Sequence, residues 1–329
     1  MASRADEAAA HAADILGRPV DRIERMVNSS VRAIRLHSGG ETLIAARRPG
    51  EARAQLEASV LEALHAKGAP VPACIGRRGR WVFQEDLGGQ RLSVALWKSG
   101  EDQNGLMLRG LEALRTVHDA ARATELSKRI ARLGVEPLWM TRLAAIPIRI
   151  AEATGIPAPE MDHEAIGKGL TPARFGLLKW DARPANAMIR DDGRIFWFDW
   201  EHCGVRDPLD DAAWFLGDEY APAFGPGAAE GVAALLTGDD PRSPDEAVQY
   251  LLRFGVLHTC VRLALILEKR REYEGWRDWD MSLELDKVGC TADTFRRTAR
   301  NAARWAEQSD DLVTLAPWLR ELADTCPDE

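Results

Sequence analysis

The stretch Lys179-Trp180-Asp181-Ala182-Arg183-Pro184-Ala185-Asn186-Ala187-Met188-Ile189, followed by Asp191-Asp192-Gly193-Arg194-Ile195-Phe196-Trp197-Phe198-Asp199-Trp200-Glu201, decides the reading of this chain. It begins as a polar loop, enters a short apolar run, turns at Asp-Asp-Gly and returns as a second apolar run. Glycine after two aspartates is turn chemistry, because glycine reaches positive φ without steric cost. A loop and a hairpin therefore carry Asp181 and Asn186 towards Asp199 at the hairpin's far end. Two carboxylates and an amide offer the oxygen donors that a hard cation such as magnesium prefers.

Asp181 and Asn186 keep the D-x-x-x-x-N spacing of a phosphoryl-transfer loop. Such transfer needs an acceptor hydroxyl aimed in line at the terminal phosphate, and Asp181 is suited to accept its hydrogen bond and then its proton. Asn186 and Asp199 would hold magnesium against the phosphates of ATP or GTP. The plainer reading makes Asp181 a loop residue, Asn186 a turn residue and Asp199 a helix N-cap. A lone D-x-x-x-x-N would support no more than that. The hairpin and Phe198-Asp199-Trp200-Glu201 favour the chemical reading.

With these residues in place, the segment resembles the catalytic loop of the aminoglycoside phosphotransferase and choline kinase family, commonly written H-G-D-x-x-x-x-N and followed by I-D-W-E. Asp207-Pro208-Leu209-Asp210-Asp211-Ala212-Ala213-Trp214 is similar to that family's D-P-x-x-D-L-A, which would make Asp210 the brace of the catalytic loop. The likeness runs from about residue 20 to 220 and is specific only in this region. It implies an α+β, bilobal, protein-kinase-like fold. Residues 1–88 would form a small nucleotide-binding lobe with an antiparallel sheet and one helix, ending in a hinge. Residues 89–329 would form a larger, mainly helical lobe for catalysis and acceptor binding.

The resemblance also assigns parts in the small lobe. Asn28-Ser29-Ser30 would cover the phosphates, with Ser29 and Ser30 as cofactor-binding residues. Glu57 stands where the family helix has the glutamate that pairs with a strand lysine. Glu85 and Leu87 flank Asp86 in the hinge whose backbone would read adenine, and Thr116-Val117-His118 is similar to the L-x-x-L-H helix end. Two positions depart from the family. Ile44-Ala45-Ala46-Arg47-Arg48 has no lysine; strand alternation makes Arg47 the choice of substitute and turns Ala45 to the adenine, aligning Ala46 with the lysine is nearly as good, and Arg48 or neither arginine stays open. An arginine would hold phosphates through a planar fork rather than a point charge. Lys179-Trp180 replaces His-Gly. The expected function is ATP- or GTP-dependent transfer to a hydroxyl of a small molecule such as an aminoglycoside, amino alcohol or sugar. A pseudokinase-like binding protein without turnover is the alternative.

Outward from the loop, Val31 to Leu36 and Thr42 to Ala46 read as strands joined at Ser38-Gly39-Gly40. Leu56, Val60, Leu61 and Leu64 at helical spacing predict an amphipathic helix over 51–67 closed by Gly68. Arg80 to Glu85 reads as a strand ending at a Gly88-Gly89 hinge, and Leu106 to Arg122, Glu125 to Leu133 and most of the chain after Glu230 read as helices. The mixed-charge run Glu268 to Asp286, with Tyr273, Trp276 and Trp279, suits an amine or sugar, though such a run more often faces water. No acceptor contact is assigned.

The net charge of -8 and a pI near 5.5 speak against a nucleic-acid partner, whose surface would be basic. Five scattered cysteines lack zinc spacing and suit a reducing, cytoplasmic setting. The acidic N-terminus does not read as a signal peptide, and the apolar run Val256 to Leu267 is short and holds His258 and Arg262, so no membrane partner is expected. G-x-S-x-G, H-E-x-x-H, G-x-G-x-x-G and the P-loop signature are absent.

Overall fold

In the computed structural model, residues 3–26, 33–100, 102–223, 228–236, 238 and 240–326 are described. The expected phosphate-covering residues Ser29 and Ser30 lie outside them. Helix α1 (Arg4–Leu16) starts at a capping box in which Ser3 and Asp6 satisfy each other's backbone N–H groups. Strands β1 (Arg22–Arg25), β2 (Ala33–Ser38), β3 (Glu41–Arg47), β4 (Cys74–Arg78) and β5 (Trp81–Glu85) form an antiparallel sheet in the order β1-β2-β3-β5-β4, with α2 (Glu51–His65) between β3 and β4. The two-residue period of β2 and β3 splits this sheet into two faces. Ile34, Leu36, Leu43, Ala45, Trp81 and Phe83 pack with Ala8 and Ala12 of α1 in one core. Ala33, Arg35, Ile44 and Ala46 face a cavity on the other side. Helix α1 is thus a second helix of this region and covers the outer face of the sheet.

The chain leaves the sheet through Gly88 and Gly89, both at positive φ, and enters β6 (Gln90–Arg91). Gly89 is required by close approach: a Cβ there would stand 2.0 Å from the carbonyl oxygen of Ile189. Then follow α3 (Leu92–Lys98), α4 (Gln103–Arg122), α5 (Leu126–Arg129), α6 (Pro137–Ala144), α7 (Ile146–Thr154) and α8 (His163–Lys168). The helix expected over Glu125 to Leu133 is only the single turn of α5, because Ile130 turns extended.

Strands β7 (Gly176–Leu178), β8 (Ala187–Ile189), β9 (Ile195–Trp197) and β10 (Gly204–Arg206) build two small sheets, β10-β7 and β6-β8-β9. Helices α9 (Leu209–Leu216), α10 (Ala228–Leu236), α11 (Pro244–Glu272), α12 (Trp279–Glu284), α13 (Ala292–Ala306) and α14 (Leu315–Thr325) complete the chain. Helix α11 is the one helix among the described residues that is long and apolar enough to cross a membrane, and 78% of its apolar window is buried. It packs against α6, α7, α9, α10 and α13, the surroundings of a core helix.

His258 on α11 is 4% exposed. Burial, and then the charge of Arg262, push its pKa down to about 3. The folded protein therefore keeps this ring neutral while the unfolded chain protonates it near pH 6.5. Its contribution to stability is complete above that pH and is lost as pH falls from 6.5 towards 3. In urea titrations across that range, His258→Leu should flatten the acid limb by up to ~1.4 kcal/mol per pH unit. At the hinge, Gly89→Ala should cost on the order of 2 kcal/mol or more. Gly88→Ala, with nothing within 4 Å of its Cβ, should cost only about 1 kcal/mol.

Candidate active site

The catalytic-loop segment connects β7 to β8 and holds an unusual backbone. Trp180, Asp181 and Asp199 have φ of 50°, 75° and 61°, a region disfavoured for residues other than glycine, asparagine and aspartate. Two buried groups hold this geometry. Lys179, fully buried, donates from Nζ to the carbonyl oxygens of Asp181 at 3.1 Å and Asp199 at 3.0 Å. Burial lowers its ammonium pKa, against the opposing pull of Asp181, Asp199, Asp211 and Glu57. Asp211, on α9, accepts from the backbone N–H of Lys179 at 2.8 Å and of Trp180 at 2.9 Å, and its Oδ2 lies 3.0 Å from His118 Nε2 of α4.

Within the loop, Asn186 donates from Nδ2 to Asp181 Oδ2 at 2.8 Å and to the Asp181 carbonyl at 3.0 Å. That leaves the amide oxygen as its uncommitted end. Arg183 is buried between elements: Nε donates to Asp218 Oδ2 at 2.8 Å, Nη2 to Glu219 Oε1 at 3.3 Å, and Nη1 stands 3.8 Å from Asp286 Oδ1. Asp286 also pairs with Arg91 at 2.8 Å, where β6 begins the helical region.

Arg48 joins the sheet to the loop. It donates from Nε and Nη2 to the two carboxylate oxygens of Glu57, and its Nη1 is 2.8 Å from Asp199 Oδ1 and 3.5 Å from Glu201 Oε1. Burial alone would lower the Arg48 pKa; the carboxylates of Glu57, Asp199 and Glu201 reverse it, so the guanidinium stays charged. Glu57 Oε1 also accepts the Trp200 N–H at 3.1 Å. Burial disfavours the Asp199 carboxylate, but Arg48, Lys179 and His202 outweigh it and hold its carboxyl below the usual range.

Asn186, Asp199, Glu201 and Arg48 line one cavity together with Glu85, Asp86 and Leu87. Its walls are Ala33, Ile44 and Ala46 from the sheet, and Met188 and Phe198 from the β8–β9 hairpin. Apolar walls beside a polar end suit a flat base with phosphates. Glu85 anchors this side by accepting from Arg190 Nη1 at 2.7 Å and from the Ala73 N–H at 3.2 Å.

The model of the phosphotransferase enzyme family, APH, matches residues 27–247. The chain belongs to the phosphotransferase enzyme family. No curated protein matches it. Among solved structures it is similar to a choline/ethanolamine kinase family protein from Mesorhizobium loti, with TM-score 0.57 and 17% identity over 96% of this chain and 99% of that one. It is also similar to the choline kinase LicA from Streptococcus pneumoniae, with TM-score 0.54 and 16% identity over 92% and 100%. A spectinomycin phosphotransferase in complex with ADP and spectinomycin matches with TM-score 0.57 and 10% identity over 94% and 100%. These likenesses are of fold, a bilobal kinase-like arrangement of sheet-rich and helical regions.

On this phosphotransferase scaffold three expectations change. Arg48, not Arg47, reaches Glu57 and lines the cavity. The alternation continues one residue past β3, where the Arg48 N–H still bonds to the Arg80 carbonyl, so Arg47 shares the face of Ala45. For the same reason Ala46, not Ala45, lines the cavity. Asp211, not Asp210, braces the catalytic loop. Asp210 instead pairs with Arg206 and accepts from Tyr250 Oη at 2.8 Å; counted from Asp207, the second aspartate of D-P-x-x-D is Asp211. Lys179 was legible only as a departure from His-Gly, and nothing in its sequence context announces the clamp it forms.

Magnesium, implied by the family, fits the residues present. Asn186 leaves an oxygen uncommitted, and Asp199 Oδ1 is buried without a hydrogen bond of ordinary geometry, although Arg48 Nη1 is near. Among the described residues no group of three or more His, Cys, Asp or Glu could hold a metal, so phosphate and water oxygens would complete the shell. Breaking the pair at Arg48 strands the buried Glu57. Arg48→Met should destabilise the fold by about 3–5 kcal/mol in urea melts, whereas Arg47→Met should change it by less than about 1 kcal/mol.

Proposed function

We propose that the protein transfers the terminal phosphate of ATP or GTP to a hydroxyl of a small molecule, an aminoglycoside, amino alcohol or sugar-like compound. The observation that carries this reading is the convergence of Asn186, Asp199 and the Arg48–Glu57 pair on one cavity, with Asp181 tied to Asn186 at its edge. Residues 1–88 would hold the nucleotide, the base lying between Ala46 and Met188 with the backbone of Glu85 and Leu87 beside it. Residues 89–329 would supply the catalytic groups and the acceptor site.

Asp181 orients the acceptor hydroxyl and takes its proton. The Nδ2 donor of Asn186 holds one oxygen of Asp181, which fixes the direction of the carboxylate. Lys179 keeps the chain around both aspartates from relaxing. Asn186 and Asp199 would ligate magnesium, which when bound neutralises charge on the transferring phosphate. Arg48 offers its guanidinium where the family has a lysine. Because Glu57 already engages two of its nitrogens, the Nη1 end is the one that faces the phosphate region. Five free cysteines, four of them buried, accord with a cytoplasmic setting.

A second reading, a nucleotide-binding protein without turnover, draws on the missing strand lysine. Against it stands Arg48, a buried guanidinium held beside Asp199, with Lys179 donating to the backbone carbonyls of Asp181 and Asp199. Asp181→Asn should lower kcat by about 10²–10⁴-fold with nucleotide affinity unchanged. Radiolabel transfer from ATP to pooled hydroxyl compounds measures the first and calorimetry the second; transfer undiminished in this variant would exclude the assigned role.

A further inference from the structure

A second hollow of about 260 Å³ opens between α6, α11 and the catalytic loop. Three indoles surround it: Trp139 of α6, Trp180 of the loop and Trp214 of α9. Their centroids are 6.0 Å apart for Trp139 and Trp180 and 5.1 Å for Trp180 and Trp214. All three are half-buried, so a large aromatic surface faces one concavity. Phe254 and His258 of α11 form its buried floor.

The floor carries uncommitted polar atoms. Nδ1 and Nε2 of His258 and Nε1 of Trp214 are buried with no hydrogen-bond partner among the described residues. Neutral imidazole offers one donor and one acceptor, and indole one donor. Buried polar groups are nearly always hydrogen-bonded in native proteins. These three atoms lie beneath the surface of the hollow, where the His258 ring packs against Trp214 at 4.2 Å and stacks on Phe254, so a ligand there would meet ring faces.

Trp180 links this hollow to the chemistry. It directly precedes Asp181, and a bulky aromatic at φ 50° is a backbone outlier. Strain of this kind gathers at functional sites. Its ring is held between Trp139 and Trp214 while its N–H is held by Asp211.

The charges select among acceptors. Among the described residues no carboxylate lines the hollow, and the one charged lining residue is Arg142. The buried Arg206 guanidinium lies 5.1 Å and 5.3 Å from the ring centroids of Trp139 and Phe254, so two of the rings already serve a cation.

We propose that this hollow is the acceptor subsite, and that the acceptor is a small hydroxyl compound with a flat aromatic body, uncharged or anionic. The transfer step rests on the phosphotransferase reading; the binding does not. The acceptor oxygen forms a new P–O bond as the bond from the terminal phosphorus to its bridging oxygen breaks. The nucleoside diphosphate leaves with that electron pair, and the hydroxyl proton passes to Asp181 and on to solvent.

The test is calorimetric titration of the full chain with 2-phenylethanol, 4-hydroxyphenylacetate, choline and kanamycin, without nucleotide, followed by a transfer assay. At least one aromatic probe should bind saturably, weaken about tenfold or more in Trp139→Ala and recover in Trp139→Phe. ADP affinity should be unchanged in both variants. Choline or kanamycin binding more tightly than both aromatics would overturn the proposal. So would Trp139→Ala binding like the parent, or no aromatic binding at ~5 mM. Saturable aromatic binding without transfer to any probe would count against the phosphotransferase reading while upholding the subsite.

Discussion

The buried charge of Arg48 is the constraint around which the two halves of the molecule are arranged. One guanidinium, fixed at the end of a sheet strand, meets Glu57 on α2 and Asp199 and Glu201 on the far side of the cavity. An unpaired charge there would be costly, so the sheet, the helix and the loop must sit within a few ångströms of one another for any of them to be stable. The same pair closes the cavity at its polar end. Two nitrogens of the planar Arg48 fork meet Glu57, and the remaining end is directed at Asp199.

Around that pair the loop between β7 and β8 is over-determined. Lys179 grips the carbonyls of Asp181 and Asp199, Asp211 grips the N–H groups on the near side, and Arg183 is held by Asp218 and Glu219 on the other. Left-handed backbone at Trp180, Asp181 and Asp199 survives because these buried bonds leave it no alternative. Placing Trp180 where its indole joins Trp139 and Trp214 makes a strained loop and an aromatic hollow parts of one arrangement.

Much of this was legible in the residues. Asp181, Asn186 and Asp199 stand out because turn chemistry and short apolar runs specify a hairpin locally, and the hairpin alone brings them together. The helix that carries Glu57 follows from apolar spacing, the choice of Glu57 on it from the family resemblance, and the turn at Gly88-Gly89 from paired glycines. What went astray went astray by one residue. Arg47 for Arg48 and Ala45 for Ala46 are slips of strand register, where one step reverses the face, and Asp210 for Asp211 is a slip of one position in matching D-P-x-x-D on α9. The end of β3 is set by its pairing with β5, which depends on residues far along the chain.

The sequence by itself determined the order of elements, the oxygen-donor chemistry of the loop and the membership in a phosphotransferase family, because these depend on local spacing and residue type. Tertiary structure decided which arginine enters the cavity, which aspartate braces the loop, and that Lys179 serves as a clamp. It also gathered Trp139, Trp180, Trp214 and His258 from four separate segments into one hollow. Such choices rest on which face of each element is buried against a distant partner, and burial is a property of the folded chain rather than of any stretch within it.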